Sequence, residues 1–127
     1  MEGTIHPDAA AVERWVQEDP DAEAFILNLL KFSEGGRAAY AAYLADVSGP
    51  LTDLGVEIVY LGDCEKPQVA PAGFDWDAVL VTRYPSRAAY GRIMQQSREN
   101  PEKWQNRGVA LAATVVQPTR RWSLGEE

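Results

Sequence analysis

The chain is nearly devoid of the side chains that thiol and metal chemistry require, with one cysteine, Cys64, and one histidine, His6. A lone thiol excludes an intramolecular disulfide and a cysteine-rich metal site. A lone imidazole, with no carboxylate–histidine spacing, makes a transition-metal centre a poor fit. Basic residues are also few: 12 Lys and Arg against 19 Asp and Glu leave a formal net charge of −7. Such a chain is repelled by nucleic-acid phosphates and by anionic membrane surfaces, so neither is an expected partner. Long hydrophobic runs are missing; Phe25 to Leu30 is too short to span a bilayer and is interrupted by Asn28. Met1 to Asp8 lacks a basic segment followed by an apolar one, so no secretory leader is read there and the cytoplasm is the expected location. Neither glycine-rich phosphate-binding pattern occurs, and no cofactor is expected.

What is present fits one globular domain: 127 residues, 46% hydrophobic and 24% charged. Pro7-Asp8 reads as the first turn of a helix whose apolar face is Val12, Trp15 and Val16, stopped by Asp19-Pro20-Asp21. Ala24 to Phe32 is apolar on both sides and reads as a central strand. After Glu34-Gly35-Gly36, helical spacing runs from Tyr40 to Leu54, with Gly49-Pro50 expected to bend or break the helix. Val56 to Gly62 and Trp76 to Tyr84 read as strands, and Ser86 as the cap of a helix bearing Ala89, Tyr90, Ile93 and Met94 on one face. Asn100-Pro101 starts a further helix closed by Gly108, and Val109 to Val116 is the last strand, limited by Pro118.

The order is an N-terminal helical extension (residues 1–22), a βαββαβ domain (23–118) and a C-terminal tail (119–127). That order predicts an α+β, ferredoxin-like, four-stranded antiparallel sheet with its helices on one face. Central strands that are apolar on both sides cannot leave one side in water. A second copy of the sheet covers it most simply, which predicts a homodimer.

Few residues carry candidate chemistry. Asn28 puts an amide on a buried strand, where it either orients a ligand or ties two strands together. Strand parity sets Asn28, with Ile26, Leu30 and Phe32, opposite Lys31, with Phe25, Leu27 and Leu29. Arg83 either binds an anionic ligand oxygen or pairs with an acid at a strand end. Tyr40, Tyr43, Tyr60, Trp76, Tyr84 and Trp104 line a pocket, the core or a dimer interface. His6 is the one imidazole available as an acid–base group, or else a surface histidine beside a proline; a tyrosine, a lysine, Glu57 or Asp77 could take its place. Cys64, with no histidine near it in sequence, reads as a small buried residue.

Ile5-His6-Pro7, Asn28-Leu29-Leu30-Lys31-Phe32, Tyr40 and Tyr43, Gly49-Pro50-Leu51, Trp76-Asp77, Tyr84-Pro85-Ser86, and Arg107 with Ala110 occur in that order along nearly the whole chain. In this the sequence resembles the uncharacterised domain-of-unknown-function family numbered 1330, of the dimeric α/β-barrel superfamily. It departs from that pattern at Val56-Glu57, where the family has Gly-Arg, and in a longer loop from Gln68 to Phe74. The resemblance implies the fold, the dimer and a ligand role for Arg107, but no agreed reaction. Superfamily relatives imply small-molecule chemistry: cofactor-independent monooxygenases, which Asn28 and Trp76 echo, or cyclases and isomerases. Haem ligation is disfavoured, because the helices after Tyr40 hold no histidine.

The leading expectation is therefore a cofactor-independent enzyme acting on a small apolar carbonyl or phenolic compound inside the barrel. Asn28 and Arg107 would hold an oxyanion, His6 would move the proton, and Tyr43, Tyr60, Trp76, Arg83, Tyr84 and Trp104 would contact the ligand. The alternatives are a non-catalytic dimer that binds a small apolar or anionic ligand, and a purely structural protein with a filled barrel.

Overall fold

Asp8 caps the first helix from outside it. In the computed structural model, which describes residues 5–125, its carboxylate accepts a hydrogen bond of 2.9 Å from the Ala11 N–H. The helix α1 (Ala9–Glu18) thus begins after the expected first turn, with one of its free N–H groups satisfied. The readings of Met1 to Thr4 and of residues 126–127 lie outside the described range. The chain continues through β1 (Ala24–Phe32), α2 (Gly36–Asp53), β2 (Glu57–Asp63), β3 (Ala78–Tyr84), α3 (Arg87–Glu99), α4 (Pro101–Ala110) and β4 (Leu111–Thr119).

Three local expectations need correction. The helix α2 runs through Pro50; the backbone bond that proline removes would end on Asp46, which is exposed, so water can satisfy that carbonyl. The helix α4 passes Gly108 and ends at Ala110, because Ser33 satisfies its last carbonyls: Ser33 Oγ donates to Val109 O at 2.7 Å and Ser33 N to Ala110 O at 2.9 Å. Pro118 lies inside β4, which an edge strand permits, since one side of it has no ladder to complete. Ser86 acts as expected, its Oγ accepting from Ala89 N at 3.1 Å at the start of α3.

The sheet order is β2-β3-β1-β4, with every neighbouring pair antiparallel. This is the α+β ferredoxin-like arrangement, with α1 added in front. Arg87 at the start of α3 holds α1 in place. Its guanidinium lies 4.5 Å from the centre of the Trp15 ring and donates to Trp15 O at 2.7 Å. Among the described residues no helix is long and apolar enough to cross a membrane.

Period-two alternation gives the sheet two different faces. Ala24, Ile26, Asn28 and Leu30 of β1 are buried under the helices, with Leu80, Thr82 and Tyr84 of β3 beside them. Ile26, Leu30, Val47 and Ile93 are fully enclosed in that layer, and each such side chain contributes about 1.5–3 kcal/mol of transfer free energy. The opposite, open face carries Phe25, Leu27 and Leu29, flanked across the ladders by Val79, Val81 and Val115, all half-buried. Ion pairs close its two ends: Lys31 with Asp75 at 2.7 Å at one, and Arg83 with Glu23 and Glu57 at the other.

Candidate functional site

The helix layer does not fill the space above Asn28. A cavity of about 670 Å³ lies between the buried face of the sheet and the helices α2, α3 and α4. Its floor is Ile26 and Asn28 of β1, Leu80, Thr82 and Tyr84 of β3, and Val116 of β4. Tyr40, Tyr43 and Leu51 of α2 form one wall, Tyr90 and Ile93 of α3 another, and Trp104 and Arg107 of α4 a third. His6 and Pro7 stand at the mouth. The cavity lies on the helix side of the sheet, whereas the sequence expectation put the site inside a barrel. Asn28 faces its own chain's helices, whereas a partner sheet would enclose the space on the other face.

Six residues expected at the site line this cavity: Asn28, Arg107, His6, Tyr43, Tyr84 and Trp104. Three do not. Tyr60 sits opposite Val81 on the open face, 57% exposed. Trp76 precedes β3 and meets Phe74 edge-on, with ring centroids 6.4 Å apart. Arg83 follows its alternative reading as an ion-pair partner, with Glu57 at 3.1 Å and Glu23 also in contact. Thr82 and Tyr90 join the lining without having been expected there. Both had a signal: Thr82 shares parity with Leu80 and Tyr84, and Tyr90 lies on the inward face of its helix with Ile93.

Asn28 is 9% exposed, and its Nδ2 lies 3.4 Å from both Ile26 O and Leu80 O. Two acceptors on one side fix which end of the amide is nitrogen. Among the described residues no donor reaches Oδ1, and none of their fully enclosed side-chain N or O atoms lacks a partner. Oδ1 therefore opens onto the cavity. The same reasoning applies to the hydroxyls of Tyr40, Tyr43 and Tyr90, whose rings pack edge-on or tilted against Phe32, Trp104 and Trp15 respectively.

Electrostatics sets the protonation states. Burial pushes the phenols of Tyr40, Tyr43 and Tyr84 up, and that of Tyr90 up to about 12. The Arg107 guanidinium opposes burial at Tyr40, Tyr43 and Tyr90, which locates its charge among them. All four stay protonated near neutrality and can donate. Arg107 also donates to Ile5 O, tying the segment before α1 to α4. His6 lies beside Gly108, where an added Cβ would stand 3.4 Å from Nε2. Desolvation, and secondly the Arg107 charge, lower the His6 pKa below 6.5. Because the folded value is the lower one, protonation opposes the fold. This contribution to stability is present above pH 6.5 and is lost as pH falls through the folded value. Proton NMR is expected to find His6 titrating below 6.5 and moving part of the way back in Arg107→Met, since burial is the larger cause. A midpoint at or above 6.5 would place the imidazole away from both the cavity mouth and Arg107.

Burial also raises the Cys64 thiol, with Asp77 and Asp63 adding to the effect, so a thiolate nucleophile is disfavoured. The thiol is half-buried and so more open than expected. Among the described residues no group of three or more His, Cys, Asp or Glu could hold a metal ion.

No protein-family model matches the chain, and no curated protein matches it. Among solved structures it is similar to the methylated RPA0582 protein, with 26% identity and a TM-score of 0.82 over 99% of this chain and 100% of that one. It is likewise similar to RPA0582 of Rhodopseudomonas palustris, a protein of unknown function, with 25% identity and a TM-score of 0.80 over 95% of this chain and 98% of that one. A dimeric protein of unknown function with a ferredoxin-like fold from Bacteroides fragilis has 9% identity and a TM-score of 0.53 over 78% of this chain and 96% of that one, a likeness of fold alone. These similar proteins are themselves of unknown function, so the chemistry must be argued from the side chains.

Proposed function

We propose that the chain is a cofactor-independent enzyme that moves a proton on a small apolar carbonyl or phenolic compound, as an isomerase or cyclase does. The observation that carries this reading is the convergence of His6, Arg107 and Asn28 on one aromatic-walled cavity. In the step we propose, neutral His6 takes a proton from a carbon next to the ligand's carbonyl. The C–H electron pair moves into the carbonyl, and the enolate oxygen is stabilised by the protonated tyrosines, with the Arg107 charge beside them. Imidazolium then returns the proton to a different carbon, so nothing is oxidised or consumed.

A solvent-exchange assay tests this without knowledge of the substrate. Aryl ketones and β-diketones are incubated in D2O with the protein, and loss of the α-proton signal is followed by NMR. Exchange above buffer, reduced about 100-fold or more in His6→Gln, is the expected result. No exchange with any member of the panel would leave the second reading, a non-catalytic binder of a small ligand. That reading is favoured by one specific feature: among the described residues no carboxylate lines the cavity to orient the imidazole.

The chain is further proposed to pair with a second copy through the open sheet face, as a dimeric α/β barrel. Support comes from the apolar strip on β1, β3 and β4 and from the dimeric state of the Bacteroides fragilis protein. Kinship with family 1330 is proposed on the motifs quoted from the sequence, Asn28 to Phe32 above all.

A further inference from the structure

We infer that the cavity selects a ring-bearing anion that also carries a hydroxyl or N–H group, with the anionic group on Arg107 and the donor on Asn28 Oδ1. This rests on the reading of the cavity as a ligand site and adds to it the class of ligand.

The first observation is a reversal of charge. The chain carries a net charge of −7, yet among the described residues no aspartate or glutamate lines the cavity; the ionisable side chains there are tyrosines, His6, Arg98 and Arg107. Among the described residues the other buried and half-buried cations have acids: Lys31 meets Asp75, Arg83 meets Glu23, and Arg87 meets Glu18. Arg107 is half-buried too, but among the described residues its one hydrogen bond goes to a backbone carbonyl, Ile5 O, and no carboxylate reaches it. A guanidinium has five N–H donors in a planar fork, and a half-buried one gains most from an anion that accepts two of them.

The second observation is the polarity of Asn28. Its donor end is committed to Ile26 O and Leu80 O at 3.4 Å each, so the end that faces the cavity is an acceptor. An acceptor at that point of the floor, between Ile26 and Leu80, rewards a ligand donor and rejects an ether or a second carbonyl in that place. This reverses the role the sequence suggested: Asn28 does not hold the oxyanion but reads a group elsewhere on the same ligand. The third observation is shape. Five aromatic rings line a space of about 670 Å³, which suits a planar body of one to three fused rings.

Three matched compounds provide the test: a hydroxynaphthoate, its uncharged carboxamide, and its methyl ether, in which the hydroxyl can no longer donate. Affinities are measured by calorimetry at pH 7.5 on the full chain. The acid is expected to bind about 10-fold or more tightly than the amide, and about 3- to 10-fold more tightly than the ether. Arg107→Met is expected to erase the preference over the amide alone, and Asn28→Leu the preference over the ether alone. Should Arg107→Met fail to fold, Arg107→Lys keeps a charge and is expected to retain part of the first preference. Equal binding of acid and amide, or of hydroxyl and ether, would overturn the inference while the binding itself upheld the cavity as a ligand site. Failure of all three compounds to bind would overturn the cavity reading as well.

Discussion

Gly36→Ala is expected to lower the unfolding free energy by about 3–5 kcal/mol, the sum of overpacking and lost hydrogen bonds. Gly36 is the first residue of α2, and a Cβ added there would fall far inside contact distance of the Ala110 carbonyl oxygen. It would also lie 3.1 Å from that carbonyl's carbon and 3.0 Å from Ser33 Oγ. The obstacle is backbone, which cannot rotate away. The turn after β1 and the junction of α4 with β4 would have to separate, breaking the bonds from Ser33 to Val109 O and Ala110 O. Two other glycine substitutions serve as controls. At Gly35, where φ is +70° and no atom lies within 4 Å, alanine meets only left-handed backbone strain of about 1–2 kcal/mol. At Gly62 the obstruction is the Tyr60 side chain, which is 57% exposed and can swing aside, so Gly62→Ala is expected to change stability by about 0.5 kcal/mol or less. Urea unfolding at one fixed protein concentration separates the three, since any self-association makes the midpoint concentration-dependent. A Gly36→Ala midpoint as close to the parent's as that of Gly62→Ala would mean that the two loops part freely.

The contrast between Gly36 and Gly62 reflects a wider division in what the chain makes legible. Element order was readable because apolar periodicity and local stop signals coincide: Ser86 before α3, Asn100-Pro101 before α4 and β-branched runs in β2 and β3. The opposition of Asn28 and Lys31 followed from parity within one strand. Which of their faces meets the helices did not follow, because Ile26 and Leu30 on one side are no more apolar than Leu27 and Leu29 on the other. Only tertiary packing decides that, and with it whether the amide reads a cavity or a partner sheet.

Tyr60 shows how one irregularity defeats parity. Counted from Ile58, which lines the cavity opposite Thr82, it should share the inward face. The ladder shifts between Ile58 and Tyr60, Val59 is the extra residue, and Tyr60 turns outward to face Val81. Nothing in Val56 to Gly62 marks Val59 as the bulged position. Trp76 and Arg83 lie outside the cavity for a simpler reason: residue type suggests chemistry but does not say where the fold carries it. His6 and Arg107 came together through a contact spanning nearly the whole chain, Arg107 to Ile5, which no local pattern encodes.

Leu29→Lys is expected to convert the proposed two-chain species into a monomer. Leu29 sits at the centre of the open face, between Val79 on β3 and Val115 on β4, with Leu27 and Val81 adjoining. The charged groups of this face stand at its ends and are already paired, Lys31 with Asp75 and Asp77, Arg83 with Glu23 and Glu57. An apolar centre with a polar rim is the composition of a stable interface. In a two-fold pair the substitution enters twice, and desolvating each unpaired ammonium costs several kcal/mol. The dissociation constant should therefore rise by more than about 100-fold. Val69→Lys, at a loop position that is 95% exposed, is the control and should leave the assembly intact. Sedimentation velocity and native mass spectrometry both read the outcome. The cavity residues come from one chain and lie on the other face of the sheet, so the monomeric Leu29→Lys chain should still bind the hydroxynaphthoate. A monomeric parent chain would mean that the open face is tolerated in water, and a Leu29→Lys dimer would move the interface to the exposed edge of β2, where Ile58 to Leu61 are 46–57% exposed.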